Sequence, residues 1–200
     1  MTVATGTVSR ERTVSGYIDF RTPAAGFDQP IEMWLACHER ILRMLALLVR
    51  LREHVVNEGA IESAKVTATL ILRYFDEAAP RHHEDEELTL FPRLLAHLHG
   101  AAGKKTARAV DALRDEHPQL EAAWAQLRPS LIEIETRAVA NLDKAATADF
   151  VTAYRLHVET ENEVLAPAFR RAFDEAELEA IGRAMAARRG VNWEELFASR

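Results

Sequence analysis

Two segments of the chain each place a glutamate four residues after a histidine. His82 and Glu86 form the first pair, and His157 and Glu161 form the second. The segments align without gaps in the frame H-x-x-x-E-x-x-x-L-x-P. Residues i and i+4 lie on one face of a helix, one turn apart. Each pair can therefore direct an imidazole and a carboxylate at one metal ion or at two neighbouring ions.

Each pair is preceded by a predicted helix with a histidine near its middle. His38 precedes the first pair and His117 precedes the second. We therefore predict two related helical hairpins, each supplying two histidines and one glutamate, a donor set that suits non-haem iron with open coordination positions. Packed face to face, the hairpins would collect four histidines and two glutamates, and the glutamates could bridge two metals. Burying this set without a metal would be costly, which disfavours a purely structural bundle.

The first pair has a second register, because His83 and Glu87 are also four residues apart. We favour His82 and Glu86, since they match the Leu and Pro offsets of the second repeat and continue an apolar stripe down to Leu90. The stripe of His83 looks more solvated. Both registers stay open, so His83 and Glu87 are further candidate ligands.

Four other residues near these motifs could take part in chemistry. Glu121 lies four residues after the third-helix histidine and is a further candidate ligand, although a solvated glutamate fits equally well. Tyr154 could hydrogen-bond near the site, but we interpret it, like Trp34, as a packing residue. Cys37 points to another part of its helix and is interpreted as a small buried residue. No catalytic nucleophile or acid–base pair is needed besides the metal site.

Helical periodicity predicts the elements that position these residues. Apolar residues recur at three- and four-residue spacings, and strand-like alternation is scarce. We predict an all-α fold in which four long helices with short connections form an antiparallel up-down bundle, followed by a short fifth helix and a last turn. Kinks or breaks are expected at the internal prolines. The predicted segments are about 28–57, 60–99, 104–141, 147–173, 174–189 and 192–197.

The domain organisation follows from the same pattern. Residues 1–27 lack helical periodicity and are predicted to be an N-terminal arm. Residues 28–190 form the bundle, and residues 191–200 form a C-terminal tail.

Composition and charge limit the partners and the location. The chain has 200 residues and a net charge of −6, without a basic tract, which argues against nucleic acid and anionic membranes as partners. A single cysteine excludes an internal disulfide and any Cys-based zinc or iron–sulfur site. The absence of an apolar signal core, and of any apolar run approaching about 18 residues, favours the cytoplasm. Oligomeric state is not fixed by the sequence, and a homodimer is the default.

Together these motifs resemble the hemerythrin-like, or HHE cation-binding, family over about residues 28–190. The resemblance implies a four-helix bundle with a non-haem di-iron centre and a bridging oxo or hydroxo group, with Mn or Zn as alternative metals. It implies that two glutamates bridge the metals. The motifs that carry it are Cys37-His38-Glu39, His82…Glu86…Leu90-Phe91-Pro92, Glu116-His117-Pro118-Gln119-Leu120 and His157…Glu161…Leu165-Ala166-Pro167. The implied ligands are His38, His82, Glu86, His117, His157 and Glu161.

The chain departs from oxygen-carrying members at the third helix, where Glu121 stands in place of a histidine. A more carboxylate-rich site would favour ferric iron and weaken reversible O₂ binding. The expected function is a di-iron protein that binds and reacts with O₂, NO or peroxide. The alternatives are a metal- or oxygen-responsive sensor, or iron storage and buffering, without turnover.

Overall fold

The protein was analysed as a computed structural model that describes residues 25–58, 62–137 and 141–198. The predicted N-terminal arm lies outside these residues except for its last three. Every regular element in the described ranges is helical and none is a strand, which confirms the all-α prediction. In chain order the elements are α1 (Pro30–Glu58), α2 (Glu62–Arg73), π1 (Tyr74–Ala78), α3 (Ala79–Asp85), π2 (Glu86–Leu90), α4 (Phe91–His97), α5 (Gly100–Arg137), α6 (Lys144–Thr160), π3 (Glu161–Leu165), α7 (Ala166–Ala172), α8 (Glu175–Arg188) and α9 (Trp193–Phe197).

These elements form four long rods, which correspond to the four predicted long helices. The first rod is α1, the second runs from α2 to α4, the third is α5, and the fourth runs from α6 to α7. The first and third rods each pack against both the second and the fourth, so the rods surround a shared interior. The short helix α8 begins after Asp174, at the start of the predicted segment 174–189, and the side chain of Asp174 accepts a hydrogen bond from the backbone N–H of Glu177.

Apolar packing fills the interior in two layers. One layer draws on residues 41–55, 64–79, 120–134 and 142–158 of the four rods. The other draws on residues 31–34, 90–94, 110–113 and 165–173, together with α8. In every rod the buried histidines and glutamates fall between these two layers or at their border. These buried histidines and glutamates form a polar layer, and the two apolar layers shield it from bulk water at both ends.

The prolines of the second and fourth rods follow π-helical turns. Pro80, Pro92 and Pro167 each stand two residues after the end of such a turn. A proline has no N–H to donate, and a widened turn lets the rod continue past it. Two of the turns begin at Glu86 and at Glu161. The repeated E-x-x-x-L-x-P is thus a repeated π turn that opens at a buried carboxylate, at the kind of functional position where π turns are frequent.

The prolines of the third rod behave differently. α5 continues through Pro118 and Pro129, so neither proline breaks the helix, and a kink at each position stays a prediction. Each proline removes one helical hydrogen bond, but the flanking Leu120, Trp124 and Leu131 are buried against neighbouring rods. Tertiary packing therefore holds the helix together across both positions.

Among the described residues, no helix combines the length and the apolar composition that a membrane span requires.

Two arginines of the C-terminal region tie α8 to the second rod through Asp85, which is only 1% exposed. Arg188 Nε and Arg189 Nη2 each donate to this carboxylate at 2.7 Å. Arg188 also donates to the hydroxyl of Thr89. Asp85 immediately precedes Glu86, so α8 is fastened next to the polar layer.

We predict that Asp85→Asn lowers the free energy of unfolding by about 3 kcal/mol, because breaking a buried pair leaves its partners' charges uncompensated. Urea unfolding followed by circular dichroism measures the change. Asp111→Asn, at an exposed position of α5, is the matched control and should leave the unfolding midpoint unchanged. Equal midpoints for the two variants would contradict a fastening role for Asp85.

Candidate metal centre

The six residues that the sequence singled out as ligands lie together in the polar layer, and all six are buried. The first rod supplies one histidine, and the third rod supplies another. The second and fourth rods each supply a His–Glu pair, with the glutamate at the start of a π turn. The six are His38, His82, Glu86, His117, His157 and Glu161.

These side chains form two adjacent groups, in each of which the candidate ligand atoms lie within 4.8 Å of one another. The first group is His38, His82, Glu86 and Glu161, and the second is His83, Glu86, His117 and His157. Glu86 belongs to both groups.

The two glutamates span the groups through their separate oxygens. Glu86 Oε1 lies 3.0 Å from His82 Nε2, and Glu86 Oε2 lies 3.4 Å from His117 Nε2. Glu161 Oε2 lies 3.3 Å from His38 Nε2, and Glu161 Oε1 lies 3.4 Å from His157 Nε2. Each carboxylate thus faces one group with one oxygen and the other group with the other oxygen.

The expectation that His83 is solvated is wrong, because this side chain is only 6% exposed and belongs to the second group. Neighbouring residues of a helix point about 100° apart. The second rod uses this offset to face both groups at once. The ring of His82 lies 4.9 Å from that of His38, and the ring of His83 stacks on that of His117 at 4.1 Å. Both histidines therefore enter the cluster, each in a different group.

The other two additional candidates fall outside both groups. Glu87 is 42% exposed and accepts a hydrogen bond from His117 Nδ1 at 2.6 Å. Glu121 is exposed on α5, so the His-x-x-x-Glu of the third rod does not turn both members inward.

Many of the inward-facing atoms of the cluster have no hydrogen-bond partner. A buried polar atom without a partner costs about 1–3 kcal/mol. Several such atoms converging on one place are the arrangement that a bound cation satisfies, so this donor set fits metal ions. The atoms are His38 Nε2, His82 Nε2, His83 Nδ1, Glu86 Oε2, His117 Nε2, His157 Nε2 and both carboxylate oxygens of Glu161.

Comparison with known proteins agrees with this geometry. The family model of the hemerythrin HHE cation binding domain matches residues 29–169. The chain belongs to the hemerythrin HHE family. An uncharacterized protein of Haemophilus influenzae is 32% identical to this HHE protein over 167 residues, which cover 84% of this chain and 94% of the relative.

In this HHE protein, three of the clustered histidines are oriented by oxygen acceptors on a neighbouring rod. Carboxylate and amide oxygens only accept, so Nδ1 of each ring carries the proton and Nε2 of the neutral ring keeps a bare lone pair. Such outer partners fix the tautomer and the direction of a ligating histidine. The pairs are His38 Nδ1 with Asn162 Oδ1 at 2.7 Å, His117 Nδ1 with Glu87 Oε1 at 2.6 Å, and His157 Nδ1 with Glu116 Oε2 at 2.8 Å.

Three residues interpreted as packing residues instead make polar contacts in the cluster. Trp34 Nε1 donates to Glu86 Oε1 at 2.6 Å. The thiol of Cys37 interacts with His82, which lowers the pKa of the thiol against the opposing effect of burial. The hydroxyl of Tyr154 lies 2.9 Å from His83 Nε2. The packing interpretation was therefore incomplete for all three residues.

Tyr154 contacts the second rod from the fourth, but the other five residues that contact the clustered side chains follow a cyclic order around the bundle. The first rod supports the second through Trp34 and Cys37, the second supports the third through Glu87, the third supports the fourth through Glu116, and the fourth supports the first through Asn162. A signal for most of them was available in the sequence, because four of the five are chain neighbours of a clustered histidine or glutamate. Adjacency turns such a residue about 100° away from its neighbour and toward the next rod.

Neighbouring charges in the cluster shift the pKa values of Glu86 and His157 away from their usual ranges. Burial alone would raise the pKa of Glu86, but the charge of His82 and the nearby imidazoles of His117 and His38 hold it well below its usual range. Burial opposes protonation of His157, yet Glu161 outweighs it and raises the pKa to about 9.

His83 shows the opposite balance. Burial, with further repulsion from neighbouring histidines, lowers its pKa to about 2. Its imidazole is therefore neutral at physiological pH, which is the form that binds metals.

Proposed function

We propose that this HHE protein holds two iron ions in its polar layer and uses them to bind and react with O₂, NO or peroxide. The observation that carries the proposal is the sharing of Glu86 between two adjacent four-residue groups, with Glu161 spanning the same pair. Imidazole and carboxylate donors suit non-haem iron, and Mn or Zn are the alternative metals for this donor set.

The proposed ligands divide between the two ions. His38 and His82 serve the first ion, and His83, His117 and His157 serve the second. Both glutamates would contact the two ions, and the family resemblance adds an oxo or hydroxo group to the implied cofactor. If His83 binds through its unpartnered Nδ1, its Nε2–H donates to the oxygen of Tyr154.

The residues of the chain would orient the centre and keep it dry. Iron supplies the redox chemistry when bound. The Nδ1 acceptors hold three imidazoles with Nε2 pointing inward. Trp34 holds one oxygen of Glu86 in place. The two apolar layers exclude bulk water, which strengthens each electrostatic contact between them.

A small apolar cavity beside the cluster is evidence that the ligand is a small molecule. It has a volume of about 20 Å³ and reaches His83 and Tyr154, with Ala79 and Leu120 in its wall. A cavity of about 10–15 Å³ already holds one water. A diatomic molecule or peroxide is therefore the class of ligand that this route admits.

The decisive experiment measures metals per chain by elemental mass spectrometry after anaerobic loading with Fe(II). About two Fe per chain, as the two groups imply, followed by absorption changes on exposure to O₂, NO or peroxide, would support the proposal. A chain that takes up no metal would overturn it. Two bound metals without any response to these three ligands would overturn the reactivity while leaving metal binding intact.

We predict that Ala79→Leu slows the reaction of the iron-loaded protein with NO by roughly tenfold or more, because the added carbons fill the cavity. Stopped-flow absorption measures the rate, and elemental analysis checks that the iron content is unchanged. Ala153→Leu, at an exposed position of α6, is the matched control. Equal rates in the two variants would show that ligands reach the centre by another route.

One contact favours a sensor function as the second candidate. Asp85, which fastens α8 through two arginines, adjoins the bridging Glu86 in the chain. Metal or ligand occupancy could therefore change how firmly α8 is held. Limited proteolysis of the C-terminal region with and without Fe(II) tests this candidate. Protection of α8 by metal, without turnover, would favour the sensor over the reactive centre.

The remaining proposals concern architecture and location. We propose that the four rods alternate in direction, up-down-up-down, which the short connections between them support. The single cysteine favours the cytoplasm as the location. A homodimer is the default assembly, with neither nucleic acid nor membrane as a partner.

A further inference from the structure

A groove runs along the outer face of the bundle between α1 and the second rod. Its volume is about 580 Å³, within the range of pockets that hold small ligands. Its wall on α1 extends from Arg40 to Arg50, which at 1.5 Å per residue is about 15 Å of helix. The apolar side chains that line it are Met44, Leu47, Leu70, Tyr74 and Ala78. The groove is therefore long, narrow and apolar along its floor.

Arginines dominate the charges of this groove. Five arginines line it, and the one acidic residue in its lining is Glu77. The whole chain, by contrast, carries a net charge of −6. A cationic groove on an acidic protein concentrates anions locally. The five are Arg40, Arg43, Arg50, Arg73 and Arg81.

Most of this positive charge is not neutralised by the residues that the structure describes. Arg73 Nε lies 3.9 Å from Glu77 Oε2, at the limit of an ion pair. Arg50 Nε donates to a backbone carbonyl at 3.4 Å. Within the described ranges, Arg40, Arg43 and Arg81 form neither an ion pair nor a side-chain hydrogen bond. Their guanidinium groups therefore keep their donors available to an external anion.

We propose that this groove binds a single-chain fatty carboxylate. The guanidinium forks would hold the carboxylate, a pairing whose geometry is bidentate. The alkyl chain would cover the apolar floor, removing it from water. The site is separate from the polar layer, so this inference does not depend on bound metal.

Other occupants fit the groove less well. Inorganic phosphate would leave the apolar side chains of the groove floor exposed to solvent. The segment 1–24, outside the described residues, carries three arginines against two acids and therefore has no net negative charge to complement the groove. A second copy placed by two-fold symmetry would bring two arginine rims together.

Calorimetric titration of the full chain with laurate, below its micelle-forming concentration, tests the proposal. We expect saturable binding of one laurate per chain. Acetate has the same head without the tail, and dodecyltrimethylammonium has a tail one carbon longer with a head of the opposite charge. Each should bind at least tenfold more weakly. Equal binding of the cationic amphiphile would overturn the proposal. So would the absence of laurate binding together with retention of the protein by phosphatidylglycerol vesicles, because that result would identify a membrane surface as the ligand.

Variants locate the binding in the groove. Arg43→Glu combined with Arg81→Glu should weaken laurate binding by roughly tenfold or more. Arg108→Glu combined with Arg155→Glu, at exposed positions of α5 and α6, makes the same charge change elsewhere and should leave the affinity within about twofold. Loss of affinity in the control as well, or retention in the groove variant, would contradict the site.

The role of the apolar floor is tested by one leucine substitution inside the groove and a matched one outside it. Leu70 is 54% exposed in the groove, and Leu156 is 58% exposed on α6, outside the groove. Both can be changed without disturbing the core. Leu70→Asp should weaken laurate binding while Leu156→Asp should not, with circular dichroism confirming that both variants fold. Equal affinities in the two variants would contradict a role for the floor.

Discussion

Replacing Glu86 with glutamine is expected to remove both metal ions from the protein. Glu86 is the one residue common to the two groups, and its oxygens lie 3.0 Å from His82 Nε2 and 3.4 Å from His117 Nε2. Glutamine keeps the size of the side chain but removes the negative charge, and its NH₂ group donates where the carboxylate accepts. Elemental mass spectrometry after anaerobic Fe(II) loading should show a fall from about two Fe per chain to nearly none.

Variants that affect only one of the two groups can be compared with the Glu86 variant. His38→Ala removes a residue of the first group only, and His117→Ala removes a residue of the second group only. Each should leave about one Fe per chain, so the three variants together distinguish a shared residue from a residue of one group. Glu121→Gln, at an exposed position outside both groups, should retain both ions. If the Glu86 variant keeps one ion, the carboxylate serves a single group and Glu161 becomes the better candidate for the bridge.

The fold and the placement of six residues could be predicted from the sequence because both depend on periodicity. An amphipathic helix and a His-x-x-x-Glu pair follow the same 3.6-residue repeat, so one pattern indicates both the rod and its inward face. The H-x-x-x-E-x-x-x-L-x-P repeat then related the two halves of the chain. The start of the fifth helix at residue 174 was predicted closely, and Asp174 caps it, whereas α6 begins at Lys144 after its cap Asp143 rather than near residue 147.

Contacts between rods could not be predicted in this way. The stripe of His83 looks solvated from the sequence because it carries Asp76, Pro80 and Glu87, whereas in the structure His82 and His83 face two different groups. Glu116 and Asn162 act across the gap between rods, which no pattern within one helix reveals. Pro118 does not break its helix, because tertiary packing outweighs the loss of one hydrogen bond.

Metal loading is expected to raise the melting temperature of the protein more at pH 8.5 than at pH 6.5. In the metal-free protein the pKa of His157 is raised to about 9 because Glu161 outweighs the effect of burial. A raised pKa contributes stability that is fully present below the unfolded value, about 6.5, and is lost as the pH rises through about 9. The pKa of His117 is raised as well, so its contribution is lost in the same direction.

Metal binding has the opposite dependence. Iron takes the neutral imidazole, so the ions must displace bound protons at pH 6.5 and fewer of them at pH 8.5. The metal-free protein therefore loses stability over the interval in which the metal affinity rises. His83 does not oppose this trend, because its pKa of about 2 keeps it neutral throughout the interval.

Differential scanning calorimetry of the metal-free and iron-loaded protein at the two pH values measures the effect. Ligand at a thousand times its Kd stabilises a fold by about 4 kcal/mol, which in a domain of this size shifts the melting temperature by on the order of 10 °C. We expect a shift of at least this size at pH 8.5 and a smaller one at pH 6.5. The Glu86→Gln variant, lacking the shared carboxylate, should show neither shift. A metal-induced shift that is equal at both pH values would mean that iron does not displace protons from these histidines, and it would remove them from the set of metal ligands.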